Sequence, residues 1–405
     1  PDALAAATFV VAPFFVGIAL GNGLGAGITA CVAQAVGRRD EVDGQRVASL
    51  GLALGFCIGL ALMLGGLLFA RPAMIALGAE GPTVELAVTY FRWAAVGMPL
   101  FFCSGALRSV LTAEGDASTP MLVVGLSTVL NLLLDPLLMF TFGLGIAGAA
   151  IATVCAQAVS LFVLSYLVFA RGAVRARPRI SAALAEVRQT LLRIARIALP
   201  MAAAQLIMAL GIGLSARVIA TFGQRAVAGY GAGSKVDLIV ALPILGLASA
   251  TVSVVGMFAG AGRSDLVRQV TLYTYRSVVL VAACFGAIAF LASEPIIGLF
   301  TDDPQALTVG REYLAYMVFS YPLMAFGMTS GRILQGLGYG LPSLVITIVR
   351  VPLVGVGGAY LAVYAFGAPI SAIWLSYIAG GVAANIMSAV WVYRLVWCRD
   401  VRPRL

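Results

Sequence analysis

An aspartate in a run of leucines is the first residue to account for: Asn131-Leu132-Leu133-Leu134-Asp135-Pro136. Asn131 and Asp135 stand four residues apart, so on a helix they share one face. Pro136 has no N–H to give and bends a helix, which loosens backbone carbonyls nearby. A carboxylate, an amide oxygen and free carbonyls suit a proton or Na⁺, since hard cations favour oxygen. If the ion is Na⁺, Asp135 and Asn131 are its expected metal ligands. An ionisable group in hydrocarbon costs roughly 2.5–3.5 kcal/mol on insertion scales, so it marks a function by default. The competing reading is that Asn131 and Asp135 only join helices, or that Asp135 meets water at the outer end.

Other candidates carry less. Arg350 sits deep in an apolar run, and Arg217 and Asp237 lie toward the outer parts of theirs, where snorkelling or ion pairing is the expected role. Met63, Met98, Phe101, Phe102, Met208, Met257 and Met324 form the expected lining of a pliable cavity for apolar cations, against the alternative of ordinary packing. The chain has no histidine, the commonest metal ligand and general base. Its six cysteines include no CxxC pair and read as free thiols. With no histidine and no cluster of carboxylates, a membrane-embedded enzyme is a remote alternative, and no cofactor is expected beyond a coupling ion.

These residues need elements to hold them, and composition says which. Of 405 residues, 61% are hydrophobic and 11% charged; mean hydropathy is +1.02. Soluble domains carry about 25% charged residues, so most of this surface must face lipid. Eleven apolar segments are expected: 8–36, 46–70, 86–112, 118–140, 145–170, 193–221, 231–258, 268–292, 308–335, 341–364 and 369–398. Helices are the default, because lipid offers no partner to a backbone N–H or C=O. No alternation of the kind a membrane barrel requires is present. The fold class is therefore an all-α polytopic membrane protein.

The net charge of +9 is almost all arginine in short loops, without the basic, aromatic-rich face that nucleic acid would need. One set of loops holds Arg38, Arg39, Arg46, the arginines of 171–196, Arg263, Arg268, Arg399, Arg402 and Arg404. The other holds Arg71, Arg225 and Arg311 with Glu294, Asp302 and Asp303. The positive-inside rule makes the first set cytoplasmic, and the C-terminus with it. The expected location is the plasma membrane, as a multi-pass monomer.

The halves repeat. Tyr90 to Leu100 matches Tyr313 to Leu323, and Ala3 to Ala6 matches Ala226 to Gly229, both at a shift of 223. Gly37-Arg38-Arg39-Asp40 is paired with Gly262-Arg263-Ser264-Asp265 at 225, and Phe142-Gly143 with Phe366-Gly367 at 224. A period of six helices makes a parallel repeat, with lobes at 1–170 and 193–405. Segment 193–221 would then pair with a helix ahead of Pro1, so eleven helices of an inferred twelve are expected here. Residues 171–192 read as a solvated cytoplasmic linker, the alternative being an amphipathic helix with Ala182, Leu184, Val187, Leu191 and Leu192 on one face. The mates of Asn131 and Asp135 fall near Val354 and Gly358, so a cation site here belongs to the first half alone.

Several motifs in this order resemble the multidrug and toxic-compound extrusion (MATE) transporters. They are Gly23-Leu24-Gly25-Ala26-Gly27 running into Gln34-Ala35-Val36-Gly37-Arg38, the Asn131/Asp135/Pro136 motif, Leu199-Pro200, Leu334-Gln335-Gly336 and Arg350-Val351-Pro352-Leu353. The resemblance implies two six-helix lobes about a central cavity and alternating access driven by H⁺ or Na⁺. It implies export of small, cationic or amphiphilic organic molecules. The chain looks most like the DinF-like branch, whose cation site matches Asn131, Asp135 and Thr153. A flippase of lipid-linked precursors, from the same wider superfamily, is the runner-up.

Overall fold

In a computed structural model the chain is described over residues 2–170 and 184–398, and no strand occurs among the described residues. Ten helices there are long and apolar enough to cross a bilayer. The eleventh expected span, 308–335, is also helical. It falls short in hydropathy because it carries Arg311, Glu312 and Arg332 together with Tyr, Ser, Thr and Gln. Those polar residues are tolerated because this helix packs against five others.

The contacts divide the chain into two compact units, Pro1–Ala202 and Ala203–Arg404. The first unit holds α1 (Asp2–Gly37), α2 (Glu41–Ala76), α3 (Pro82–Val96), α4 (Met98–Ala113), α5 (Ser118–Pro136) and α6 (Gly145–Ser165). The helix α7 (Leu184–Ala220) contains Pro200 and runs through the division between the units. It begins inside the stretch expected to be linker: Leu184 to Leu192 are helical, while residues 171–183, including Ala182, lie outside the described residues, as does the tail 399–405. The second unit continues with α8 (Gln224–Gly260), α9 (Ser264–Leu291), α10 (Ser293–Gly298), α11 (Pro304–Gly336), α12 (Leu341–Ile348), α13 (Gly357–Tyr360) and α14 (Ser371–Val396).

Within the first unit, close backbone approach depends on glycine. A Cβ on Gly59 of α2 would lie 2.6 Å from Pro99 Cα and 2.9 Å from Met98 O, so only hydrogen lets α2 and α4 touch here. Large apolar side chains point outward, among them Phe140 at 78% exposed and Leu291 and Phe366 at over 80% (82% and 83%). In water such a surface would aggregate; in hydrocarbon it is the solvated face.

The internal repeat is written most clearly in the turns. After α1, the amides of Arg38, Arg39 and Asp40 bond to the carbonyls of Gln34, Val36 and Ala35; after α8, Ala261, Gly262 and Arg263 bond to Met257, Ala259 and Phe258. After α4, Glu114, Gly115 and Asp116 bond to Val110, Thr112 and Leu111; after α11, Leu337, Gly338 and Tyr339 bond to Ile333, Gln335 and Leu334. Every one of these pairs is separated by 223 residues. The first turn therefore corrects the shift of 225 read from the Gly-Arg-x-Asp letters. What fixes its register is the residue with positive φ, Arg39 (59°) against Gly262 (70°).

The fifth element of each unit loses α-helical regularity at proline. Pro136 ends α5 and is followed by a π-helical turn, Leu137–Thr141; Pro352 lies within a π-helical stretch, Val349–Val356, followed by α13 and another π turn, Leu361–Ala365. Such turns shift the hydrogen-bonding pattern by one residue and concentrate at functional sites.

Candidate functional sites in the two units

In the first unit the sequence-predicted residues come together. Asn131 Nδ2 donates to Asp135 Oδ1 at 3.2 Å and to Thr153 Oγ1 at 3.3 Å, so one amide bridges α5 and α6. The threonine hydroxyl in turn donates to the carbonyl of Ala149, one turn back on its own helix, at 3.1 Å. All three side chains are half-buried. Gly148 lets α6 close on the π turn behind Asp135, since a Cβ there would sit 2.8 Å from Leu138 O. One turn beyond Thr153, Gln157 Oε1 is buried with no hydrogen-bond partner. Carboxylate, hydroxyl and this orphaned carbonyl oxygen are all hard donors of the kind a proton or Na⁺ takes.

A second cluster at the end of the same unit is purely ionic. Asp43 accepts from Arg38 at 2.7 Å and from both terminal nitrogens of Arg193 on α7, at 2.9 and 3.0 Å. Arg46, 3.9 Å away, turns its other nitrogen to Glu186 at 2.8 Å. Asp40 caps α2 by accepting from the Asp43 amide at 2.9 Å, the ordinary N-cap arrangement.

The second unit holds a site whose role the sequence did not reveal. Asp237 of α8 was expected to snorkel or pair with a cation. Instead it accepts hydrogen bonds from the hydroxyls of Tyr313 and Tyr321 on α11, the latter at 2.8 Å. Glycine makes this possible, because a Cβ on Gly233, one turn before Asp237, would overlap the Tyr313 ring. The ring thus fills the face that the acid shares. Gly286 of α9 makes the same room for Tyr321, a Cβ there meeting the ring at 2.8 Å. Behind them Trp374 of α14 is fully buried, stacked on Tyr230 and edge-on to Tyr313 at 4.9 Å.

Asp237, Tyr313 and Tyr321 open on a cavity of about 170 Å³ that also takes in Arg350 and Tyr377. Arg350 stands at the start of the π-helical stretch, held close to α14 by Gly380, whose Cβ would come within 2.6 Å of Arg350 O. A usable signal was present: Gly233 and Asp237 at helical spacing in an apolar run, and two tyrosines eight residues apart in the least apolar span.

The expected cavity lining separates on the structure. Met208 and Met324 do line this cavity. Met98 and Phe102 are buried, 6% and 1% exposed, and serve as packing. Phe101 stacks edge-on against Phe102 at 5.6 Å; Met63 and Met257 are half-buried. Arg217 is exposed in the last turn of α7, where a cation favours the helix dipole.

Ten bilayer-length helices, two units sharing one order of elements, and polar sites inside each define a polytopic α-helical membrane protein of duplicated architecture. The family model MatE matches residues 1–137 and again 200–361. The chain belongs to this family of MATE transporters, which are secondary transporters and not enzymes. It is 27% identical over 371 residues to the FAD transporter of Shewanella oneidensis, spanning 90% of this chain and 81% of that one. It is 27% identical over 390 residues to the probable multidrug resistance protein NorM of Thermotoga maritima, spanning 92% and 82%. An outward-facing multidrug resistance MATE transporter superposes with a TM-score of 0.92 at 28% identity, covering 98% of this chain and 89% of that structure.

Proposed function

We propose that this MATE-family multidrug exporter works by alternating access, exchanging a small organic molecule for H⁺ or Na⁺, with Asp135 as the coupling group. The observation that carries the reading is the Asn131 amide bridging Asp135 and Thr153 across two helices. That bridge ties the charge of one carboxylate to the packing of α5 on α6. When a cation or proton neutralises Asp135, the amide loses its ionic acceptor, and the balance between two packings shifts. A ligand moves such an equilibrium only through its different affinity for the two states, and a carboxylate beside a proline-loosened turn supplies that difference. The placement of this chemistry in the first half favours the DinF-like branch. The relatives' names range from multidrug export to FAD, so the substrate is proposed only as a small organic amphiphile. The protein is proposed to act as a monomer in the plasma membrane with its C-terminus in the cytoplasm.

Asp135→Asn keeps the shape and removes the charge. In cells at parental expression, drug efflux should fall by at least about tenfold, a loss of some 1.4 kcal/mol in the driving step. Efflux driven separately by a pH gradient and by a Na⁺ gradient identifies the ion. Parental efflux by the variant under both gradients would remove Asp135 from the mechanism.

A further inference from the structure

The C-terminal cavity presents two opposite charges that the family's coupling chemistry, as assigned above to Asp135, does not use. Asp237 accepts hydrogen bonds from two tyrosine hydroxyls, and donors of that kind favour a carboxylate over a neutral acid. A carboxylate has about four lone-pair sites, so two remain for a further donor. Arg350 lines the same cavity, and among the described residues it has no hydrogen-bond or ion-pair partner. A guanidinium in an apolar surrounding with its donors unused is costly unless an anion completes it. The same cavity is lined by soft and aromatic side chains, Met208, Met317, Met324, Tyr230 and Tyr377. At about 170 Å³ the space is close to the roughly 150 Å³ cavity that takes one benzene ring.

We propose that this cavity is a binding site for a zwitterionic aromatic molecule, its anionic group on the Arg350 guanidinium and its ammonium on the Asp237 carboxylate. The ring lies among the methionines and tyrosines, where thioether and aromatic contacts adapt to shape. Monocations and monoanions each leave one of the two charges uncompensated, so the site discriminates by charge number as well as by size. The repeat mates of Asp237 and Arg350 at the 223 shift are Phe14 and Ser127, so the site is confined to the second half. The inference does not depend on which group couples the ion.

The test is equilibrium binding to the purified full chain in detergent micelles, with no ion gradient. The reporter is the fluorescence of Trp374, packed behind the wall against Tyr230 and Tyr313, after Trp93, Trp391 and Trp397 are replaced by Phe; calorimetry serves as a second readout. The probes are 4-(aminomethyl)benzoate, benzylamine and benzoate. The zwitterion should bind at least about tenfold more tightly than either singly charged probe, one well-made charged contact being worth about that much. Arg350→Gln should abolish the advantage of the zwitterion over benzylamine, and Arg350→Lys should retain part of it. Equal affinity for all three probes, or no binding of the zwitterion, overturns the proposal without needing any Arg350 variant to fold. Because no transport is measured, either result leaves the coupling role of Asp135 to its own efflux assay.

Discussion

Two aspartates show how far single residues can be read. Asp135 was legible because its neighbours in sequence are also its neighbours in space: Asn131 lies one turn away on the same helix. Asp237 was not, because its partners, Tyr313 and Tyr321, come from a helix about eighty residues further on. Only the fold tells an acid facing lipid headgroups from one held by two hydroxyls. Asp43 makes the same point with charge. Its three arginines come from α1's end, its own helix and α7, and its side chain is 9% exposed. Removing one member of a buried ionic group strands the others, at a cost of about 3 kcal/mol or more. Asp43→Asn should therefore lower the melting temperature in detergent markedly. Arg311→Gln breaks the exposed pair with Glu294 and should shift it little, within about 1 kcal/mol. Equal effects of the two substitutions would show that the Asp43 cluster is as solvated as the surface pair.

The elements were easier to see than their joints. Long apolar runs in a chain that is 61% hydrophobic have one stable form in lipid, so the spans were legible to within a few residues. The start of α7 was misplaced because its first turns are charged and polar: they pack by way of Arg193 and Glu186 rather than by apolar burial. Pro136 and Pro352 announced irregularity, but not that it would take the form of π turns, since the residues around them have no distinctive type. Glycines look alike in sequence and differ sharply in place. Gly59→Ala puts a methyl against α4 backbone, whereas Gly65, six residues on in α2, has open space around it. Gly59→Ala should cost at least 1–3 kcal/mol through overpacking, and Gly65→Ala should be neutral or gain up to about 1 kcal/mol from helix propensity. Melting of the two variants side by side checks this, and an unharmed Gly59→Ala would mean that α2 and α4 can part without loss.

For the whole molecule, the arginine asymmetry predicts which face meets the cytoplasm. Asp302, exposed beside the α11 cap, should face outward. The exposed cysteines Cys57, Cys155, Cys284 and Cys398 are first replaced by serine. A cysteine at position 302 should then react with a membrane-impermeant maleimide in intact cells, and labelling that appears only after permeabilisation would invert the assignment. The matched turns bear on the molecule's history. Each half closes its helices with the same bonds at a spacing of 223 residues, yet Asp135 corresponds to Gly358 and Asp237 to Phe14. What descended unchanged from the ancestral copy is the carpentry of the turns, where a left-handed residue or a misplaced amide cannot be exchanged freely. The side chains proposed to meet ions and cargo differ between the two halves. A duplicated gene could thus keep one scaffold twice while its daughters took up different trades, so functional residues in such a chain should be sought where the two copies disagree.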